Sequence, residues 1–169
     1  VPTRNSPVYT GPIEITKSTS VRAVSFADGA VPSSCMTASY IVNENHTMDV
    51  VSVTSDPDGL FSTERGIMVQ GKGTSQLDNN CNYFQDWERY AHVELLYKDG
   101  SGAEFSMDCG LKIFGGMSRI YEKKSLAVNF RDCYGQSWLE DRVFDSRDID
   151  RYHNLILRTS GQDRINTLM

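Results

Sequence analysis

The amino-acid sequence predicts a mainly β protein, with sheets arranged as in a β-sandwich and with little helix. Short runs in which apolar and polar residues alternate recur along the chain. Turns rich in Gly, Pro, Asp and Asn separate these runs. An alternating period of two is typical of half-buried strands, and turn residues at short intervals are typical of all-β folds. We count about nine or ten such strands.

Three short strands are predicted in the first quarter of the chain, at residues 13–16, 21–26 and 36–42. Asp28-Gly29 closes the second of them as a turn. A sheet of three short strands is marginal by itself, so we expect it to depend on the residues that follow.

The next strands lie on either side of a polar loop. Residues 50–53 form a short apolar strand that ends at a Pro-containing turn at residues 56–59. Residues 66–71 are predicted as a strand bracketed by glycines, and residues 72–83 as a Gly-, Ser-, Asn- and Asp-rich loop. A loop of this length is typical of functional or mobile segments.

A long hairpin is predicted next. Residues 87–97 alternate well, and residues 98–102 (KDGSG) make a turn into a strand at residues 104–107. The remaining predicted strands are residues 110–114, 125–130 and 154–157. The tail at residues 161–169 could begin a helix.

Charge and hydropathy exclude two classes of partner. The chain carries 17 Lys and Arg against 22 Asp and Glu, for a net charge of −5. Binding of nucleic acid through bulk charge is therefore disfavoured. No apolar run approaches the ~20 residues of a membrane-spanning helix, so we expect no membrane insertion by this chain.

The cysteines leave two interpretations open. They are widely spaced and include no CxxC motif, which disfavours a zinc site. Their even number allows up to two disulfides, and buried free thiols are an equal alternative in a core of this size. The four residues are Cys35, Cys81, Cys109 and Cys133.

Residues 110–126 contain a candidate phosphate site. A strand leads into Gly115-Gly116, a loop with a hydroxyl and three cations follows, and another strand begins. Backbone N–H groups at glycines, a hydroxyl and cations are groups that bind phosphate. The alternative is a tight turn with exposed lysines. The candidate phosphate contacts are Lys124, Lys123, Arg119 and Ser118.

Four motifs follow one another along the chain. The first comprises Asp56-Pro57, Leu60-Phe61 and residues 66–71. The second comprises Trp87, Ala91, Val93, Glu94, Asp99 and Gly100. The third comprises Gly110, Ile113, Gly115 or Gly116, Ser118, Arg119, Lys124, Ser125 and Leu126. The fourth comprises Tyr134, Gly135, Phe144, Leu155, Leu157, Arg158, Ser160, Gly161 and Asp163. In this order the four motifs resemble the N-terminal part of the CotH family of spore-coat-kinase-like proteins.

This resemblance implies that the complete family member is an atypical protein kinase that uses ATP and magnesium. It implies a phosphate-facing Lys at Lys124 or Lys123, with Arg119 in support. The family's acidic metal- and base-bearing segment is expected beyond Asp163. We therefore expect residues 44–169 to be a CotH-like N-terminal β region without the catalytic segment, lacking kinase activity and needing no cofactor of its own.

A second pattern lies within residues 1–43. It comprises Pro2-Thr3, Ser6-Pro7, residues 9–13, residues 21–23, Phe26, Asp28-Gly29, Ser34, Thr37 and Tyr40. These residues resemble a partial chitobiase C-terminal-like module, a small Fn3-like domain of secreted glycan-active proteins. Strands that normally open the module have no counterpart here. An incomplete sheet exposes an edge, so self-association through that edge is expected.

Together these features predict a non-catalytic accessory or interaction region of a secreted or cell-surface bacterial protein. Its expected partners are other domains of the parent chain and a surface glycan or protein. The alternatives are a nucleotide-binding lobe of an extracytoplasmic kinase and a glycan-binding module.

Two further groups of residues have alternative interpretations. His92 and Glu94 share one strand face, and we expect a solvated face rather than a metal site because no third ligand is evident. Five aromatic residues could form a sugar platform, although core packing is the expected role for most of them. They are Tyr83, Phe84, Trp87, Tyr90 and Trp138.

Overall fold

The computed structural model describes residues 1–159 and confirms a mainly β fold with two antiparallel sheets. One sheet has two strands, and the other has five in the order β3-β4-β5-β6-β7. The strands are β1 (Thr19–Ala23), β2 (Met36–Tyr40), β3 (Val50–Ser55), β4 (Glu88–Leu96), β5 (Ala103–Phe114), β6 (Ser125–Asn129) and β7 (Asn154–Leu157). Motif residues Ser160, Gly161 and Asp163 and the predicted tail helix lie outside the described residues.

Helix is limited to short turns. The helix α1 (Pro57–Phe61) is one turn long, and the Asp56 side chain caps its N-terminus by accepting a hydrogen bond from the Asp58 N–H. Pro57 fits the first turn, where its missing N–H leaves no partner unsatisfied. Three 3₁₀ turns are Asn82–Phe84, Met117–Ile120 and Asp132–Tyr134. None of the helices within residues 1–159 could cross a lipid bilayer.

Three predictions about strands are wrong. Residues 13–16 form no strand. Residues 66–71 form turns, because the N–H groups of Ile67 and Met68 donate to the Gly59 and Leu60 carbonyls instead of a neighbouring strand. The two strands predicted at residues 104–107 and 110–114 are one continuous strand, β5. The described part of the chain therefore has seven strands rather than nine or ten.

The chain forms two compact units. Within the described residues, the first comprises Val1–Thr54 with Glu94–Glu104, and the second comprises Ser55–Val93 with residues 105–159.

Hydroxyl groups hold the first unit together. Strands β1 and β2 pair antiparallel from Thr19↔Tyr40 to Ala23↔Met36. The hydroxyl oxygens of Ser20 and Ser39 lie 3.0 Å apart. The Ser39 hydroxyl also accepts a hydrogen bond from the Ser52 hydroxyl of β3 at 2.8 Å. No apolar residue of this unit is buried, and several large ones are well exposed. They include Val8, Tyr9, Ile13, Val31 and Met36.

The apolar core lies in the second unit. Strand β5 pairs with β6 from Gly110↔Asn129 to Phe114↔Ser125, and β6 pairs with β7 from Leu126↔Leu157 to Asn129↔Asn154. Burial does not alternate in the two longest strands, because residues 91–94 of β4 and residues 109–111 of β5 are buried in unbroken runs. The period of two expected of half-buried strands therefore holds only in part. The buried apolar residues are Ile67, Cys81, Tyr83, Ala91, Val93, Phe105, Cys109, Leu111, Ile113, Ala127, Val128, Phe130 and Leu139.

All four cysteines are free thiols in this structure, so the disulfide alternative is not realised in it. Cys81 and Cys109 are buried, whereas Cys133 is exposed. Burial is the main cause that raises the pKa of Cys109 to about 12, which keeps the thiol protonated at neutral pH.

A carboxylate latch, made of Glu88 and its hydrogen-bond donors, ties β4 to β6 and to the turn after it. Arg131 donates to Glu88 at 2.9 and 3.0 Å, the Asn129 amide donates at 2.8 Å and the Tyr134 hydroxyl donates at 3.0 Å. Gly110 lies beside this carboxylate, and a Cβ there would overlap the Glu88 side chain. The Gly110 of the third CotH-like motif therefore has a packing role.

The latch should make stability depend on acid pH. Partial burial raises the pKa of Glu88, but donation from Arg131, Tyr134 and Asn129 outweighs it and leaves this pKa below its usual range. A carboxyl group whose pKa is lower in the folded than in the unfolded state stabilises the fold at pH values above its unfolded-state pKa. That stabilisation is lost as the pH falls through the folded-state pKa. Glu88→Gln should therefore cost about 1–2 kcal/mol of unfolding free energy at pH 7. In urea titrations across pH 7 to 3, that difference from wild type should shrink below pH ~4.5, and a constant difference would contradict the latch.

Candidate functional site

The segment that carries the predicted phosphate contacts is a glycine turn followed by a 3₁₀ turn. Gly115 has a φ of +107°, a conformation that glycine adopts without strain. Residues Met117–Ile120 then form the 3₁₀ turn, and β6 begins at Ser125. The prediction of a loop between two strands is confirmed.

Arg119 turns back on the protein. Its Nε donates to the Gly115 carbonyl, and its Nη1 lies 3.4 Å from the Tyr83 carbonyl oxygen. Both contacts are to backbone carbonyls, which helix and turn ends leave without other partners. The guanidinium thus fastens the glycine turn to the segment around Tyr83.

Lys124 is buried, with 7% of its surface exposed. Its Nζ donates to the Tyr121 carbonyl at 2.6 Å and lies 4.8 Å from the centroid of the Tyr83 ring. Desolvation is the main cause that lowers the pKa of Lys124. A cation over an aromatic face gains about 1–2 kcal/mol when partly desolvated.

The other two predicted contacts do not join this pair. Lys123 is exposed, and its carbonyl accepts a hydrogen bond from the Thr159 hydroxyl. Ser118 is half-buried, and its carbonyl accepts from the Tyr121 N–H. The structure therefore brings Arg119 and Lys124 together at Tyr83, and the assignment of all four to phosphate stays a prediction.

A polar cleft lies at the predicted polar loop, residues 72–83. Its volume is about 490 Å³. It is lined by Glu64, Lys72, Thr74, Asp78, Asn80, Asn82, Gln85 and Trp87. Sequence reasoning identified the loop but none of its polar side chains as a site.

Asp78 braces one wall of the polar cleft. Its carboxylate accepts the N–H and hydroxyl of Thr74, both at 2.8 Å, and the N–H and amide of Asn80 at 2.8 and 2.9 Å. These hydrogen bonds, led by the Thr74 N–H and then the Asn80 N–H, lower the pKa of Asp78 to about 2. Asp78 is thus ionised at neutral pH and saturated with donors from its own loop.

Asn82 forms the floor of the cleft, and only 3% of its surface is exposed. Its Nδ2 donates to the carbonyls of Thr63 and Gly66 at 2.9 and 3.0 Å. These two bonds fix the amide orientation. Oδ1 receives no hydrogen bond from the described part of the chain, and it is not one of the atoms buried without a partner. Gly71, at a φ of +63°, passes so close to this amide that a Cβ there would overlap it.

Gln85 and Trp87 complete the cleft. The Gln85 Nε2 donates to the carbonyls of Asn79 and Cys81 at 2.7 and 3.0 Å, so its Oε1 is the end of the amide left for a ligand. The Arg89 guanidinium lies 5.0 Å from the Trp87 ring centroid. Trp87 is the one aromatic residue among those that line the cleft.

The five aromatic residues do not form one platform. Tyr83 is in the core and packs edge to face against Phe84 at 4.9 Å between centroids. Tyr90 lies 6.1 Å from Tyr134, and Trp138 lies 3.5 Å from His153. Core and surface packing therefore separate Trp87 from the others.

The predicted solvated face at His92 and Glu94 is wrong, because both residues are buried, with 7% and 5% exposed surface. His92 Nδ1 lies 2.7 Å from Asp108 Oδ1, and its Nε2 lies 2.9 Å from the Ser106 hydroxyl. The order Asp–His–Ser is that of a hydrolase triad. Ser106 is exposed, but it is the fourth residue of β5 and does not lie on the sharp strand-to-helix turn that holds such a nucleophile. Within residues 1–159, no group of three or more His, Cys, Asp or Glu could hold a metal.

Comparison with known proteins bears on the start of the chain. Residues 1–37 match the family model of the chitobiase/beta-hexosaminidase C-terminal domain, which confirms that resemblance. No curated protein and no solved structure matches the chain. The CotH-like resemblance stays a prediction.

Proposed function

We propose that the chain is a non-catalytic accessory and interaction region of a secreted or cell-surface, CotH-like bacterial protein. The observation that carries this proposal is the use of Arg119 and Lys124 inside the fold. These are the cations that the CotH-like resemblance assigns to phosphate, and both bind backbone carbonyls around Tyr83. The chitobiase-type segment at residues 1–37 supports an accessory role.

Phosphoryl transfer needs more than these cations. A kinase holds the nucleotide phosphates with a lysine and holds magnesium with carboxylate or amide ligands. The Lys124 ammonium is buried against Tyr83, and moving it toward a phosphate would leave the Tyr121 carbonyl without this donor. Lys124 is thus better placed to stabilise the fold than to bind a nucleotide.

A nucleotide-binding lobe is the second candidate. The observation that favours it is the convergence of Lys124 and Arg119 on one residue, Tyr83. Arginine and lysine are the side chains that phosphate-binding sites use. The two candidates differ in what ATP does to stability.

Thermal unfolding in magnesium and ATP separates the two candidates. At 100 times its dissociation constant a ligand adds about 2.7 kcal/mol, which is roughly 5–10 °C in Tm for a domain of this size. We expect no such rise for the wild-type chain. Lys124→Ala should lower Tm equally with and without ATP, and Lys123→Ala, the exposed neighbour, should match wild type. A rise with ATP that is lost in Lys124→Ala alone would establish the nucleotide-binding lobe instead.

A further inference from the structure

We propose that the polar cleft binds an uncharged oligosaccharide, with pyranose hydroxyls facing its amide oxygens and a sugar ring packed on Trp87. This inference names a ligand class for the interaction role proposed above and rests on that role. Three observations support it: the hydrogen-bond acceptors that the cleft residues present, the charge of these residues and the position of one aromatic ring.

The three amides of the cleft present acceptors, beside the donors of the Lys72 ammonium and the Trp87 indole N–H. The amide nitrogens of Asn80, Asn82 and Gln85 are all engaged with the protein, the first with Asp78 and the others with backbone carbonyls. Each amide therefore turns its oxygen away from its internal partners. An amide oxygen with two lone pairs is satisfied by a hydroxyl or N–H donor. Sugar hydroxyls are such donors, and an oligosaccharide carries several on each ring.

Asn82 makes this a built site. The residue is almost fully buried, but its Oδ1, which has no donor within residues 1–159, is not among the buried side-chain atoms that lack a partner, so a ligand can reach it. Its two Nδ2 hydrogen bonds prevent the amide from rotating to offer a donor instead. A fixed, accessible acceptor gains about 1 kcal/mol from a ligand donor.

The charge of the cleft does not favour phosphate or other anions. Glu64 and Asp78 contribute two carboxylates, and Lys72 contributes the one ammonium of the lining. The low pKa of Asp78 keeps its charge in place at neutral pH. With the Arg89 guanidinium beside Trp87 the charges nearly balance, so the cleft offers an anionic ligand no net attraction, and a neutral polyol needs none.

Trp87 supplies the apolar contact. Ligand sites combine an aromatic wall with a few fixed polar groups that set orientation, and a volume of about 490 Å³ lies within their usual range. The Arg89 guanidinium lies over one face of the same ring, so the sugar would pack on the other face. The C–H face of a pyranose is a matching partner for such a ring.

The binding test uses the 169-residue chain with chitotetraose, cellotetraose and maltotetraose. Tryptophan fluorescence and calorimetry should show saturable binding of at least one of the three, weakened at least tenfold in Trp87→Ala. Trp138→Ala is the matched control, because Trp138 packs on His153 outside the cleft, and it should bind like wild type. Gln85→Ala provides a second cleft variant should Trp87→Ala fail to fold, and it should weaken binding severalfold.

Two results would overturn the proposal: no saturable binding of any of the three sugars up to 10 mM, or equal affinity in the cleft variants and wild type. Neither result would contradict the accessory role, which the ATP experiment tests separately. Stabilisation by magnesium and ATP would remove the accessory role whatever the sugars do.

Discussion

Gly110→Ala should lower the free energy of unfolding by about 2–3 kcal/mol, although it adds one methyl group to a strand. Alanine is compatible with an extended backbone, so the cost comes from space. A Cβ at this position would overlap the Oε1, Cδ and Cγ atoms of Glu88. The Glu88 side chain must then move, and the carboxylate latch must break or distort.

The latch is what makes that movement costly. Glu88 receives four hydrogen bonds from three side chains, and those to Arg131 are charge-assisted and bidentate. In a Glu88→Ala background the steric conflict disappears. Gly110→Ala should then cost less than about 1 kcal/mol, and the double-mutant cycle should give a coupling of about 1–2 kcal/mol.

Urea unfolding followed by tryptophan fluorescence measures all four corners of this cycle. Gly11→Ala is the control, because a Cβ at Gly11 would meet nothing within 4 Å. Equal cost of Gly110→Ala with and without Glu88 would show that the glycine has another role, and the explanation of the third CotH-like motif by packing would fail.

Strands were predictable where alternation and turn chemistry agree. Residues 87–97 alternate and are followed by Asp99-Gly100, and the structure has β4 and a hairpin turn in which the Tyr97 N–H donates to Gly102. Residues 66–71 are apolar between glycines, which is equally compatible with a strand and a buried turn. Their hydrogen bonds to Gly59 and Leu60 depend on the fold, and no period in the sequence encodes them.

The candidate site was less predictable, because partners distant in sequence decide what each side chain does. Arg119 and Lys124 looked like ligands for phosphate until Tyr83, about 40 residues earlier, supplied a carbonyl and a ring. Asn82 and Gln85 lay in a loop rich in polar residues, where composition does not tell which amides are buried. His92, Ser106 and Asp108 could have been found, since a hairpin pairs β4 with β5 and places Ser106 and Asp108 on one face.

Asn82→Ala should cost about 2–4 kcal/mol and should also abolish oligosaccharide binding, which makes Asn82 the link between fold and site. Its Nδ2 satisfies the Thr63 and Gly66 carbonyls, and each buried carbonyl left without a donor costs about 1–3 kcal/mol. Truncation also removes the volume that Gly71 packs against. The loop floor would lose both its hydrogen bonds and its shape.

Asn82→Asp separates the amide donor from the acceptor. It keeps an oxygen at the Oδ1 position but replaces the donor with a second oxygen facing two carbonyls. We expect it to unfold at least as readily as Asn82→Ala at pH 7, because burying an unpaired charge adds to the lost hydrogen bonds. Asn80→Ala is the matched control, since Asn80 is exposed and its amide bonds only Asp78, and it should cost under about 1 kcal/mol. If Asn82→Asp were as stable as wild type in urea, the amide would not be holding those carbonyls, and the fixed acceptor on which the sugar site depends would be lost with it.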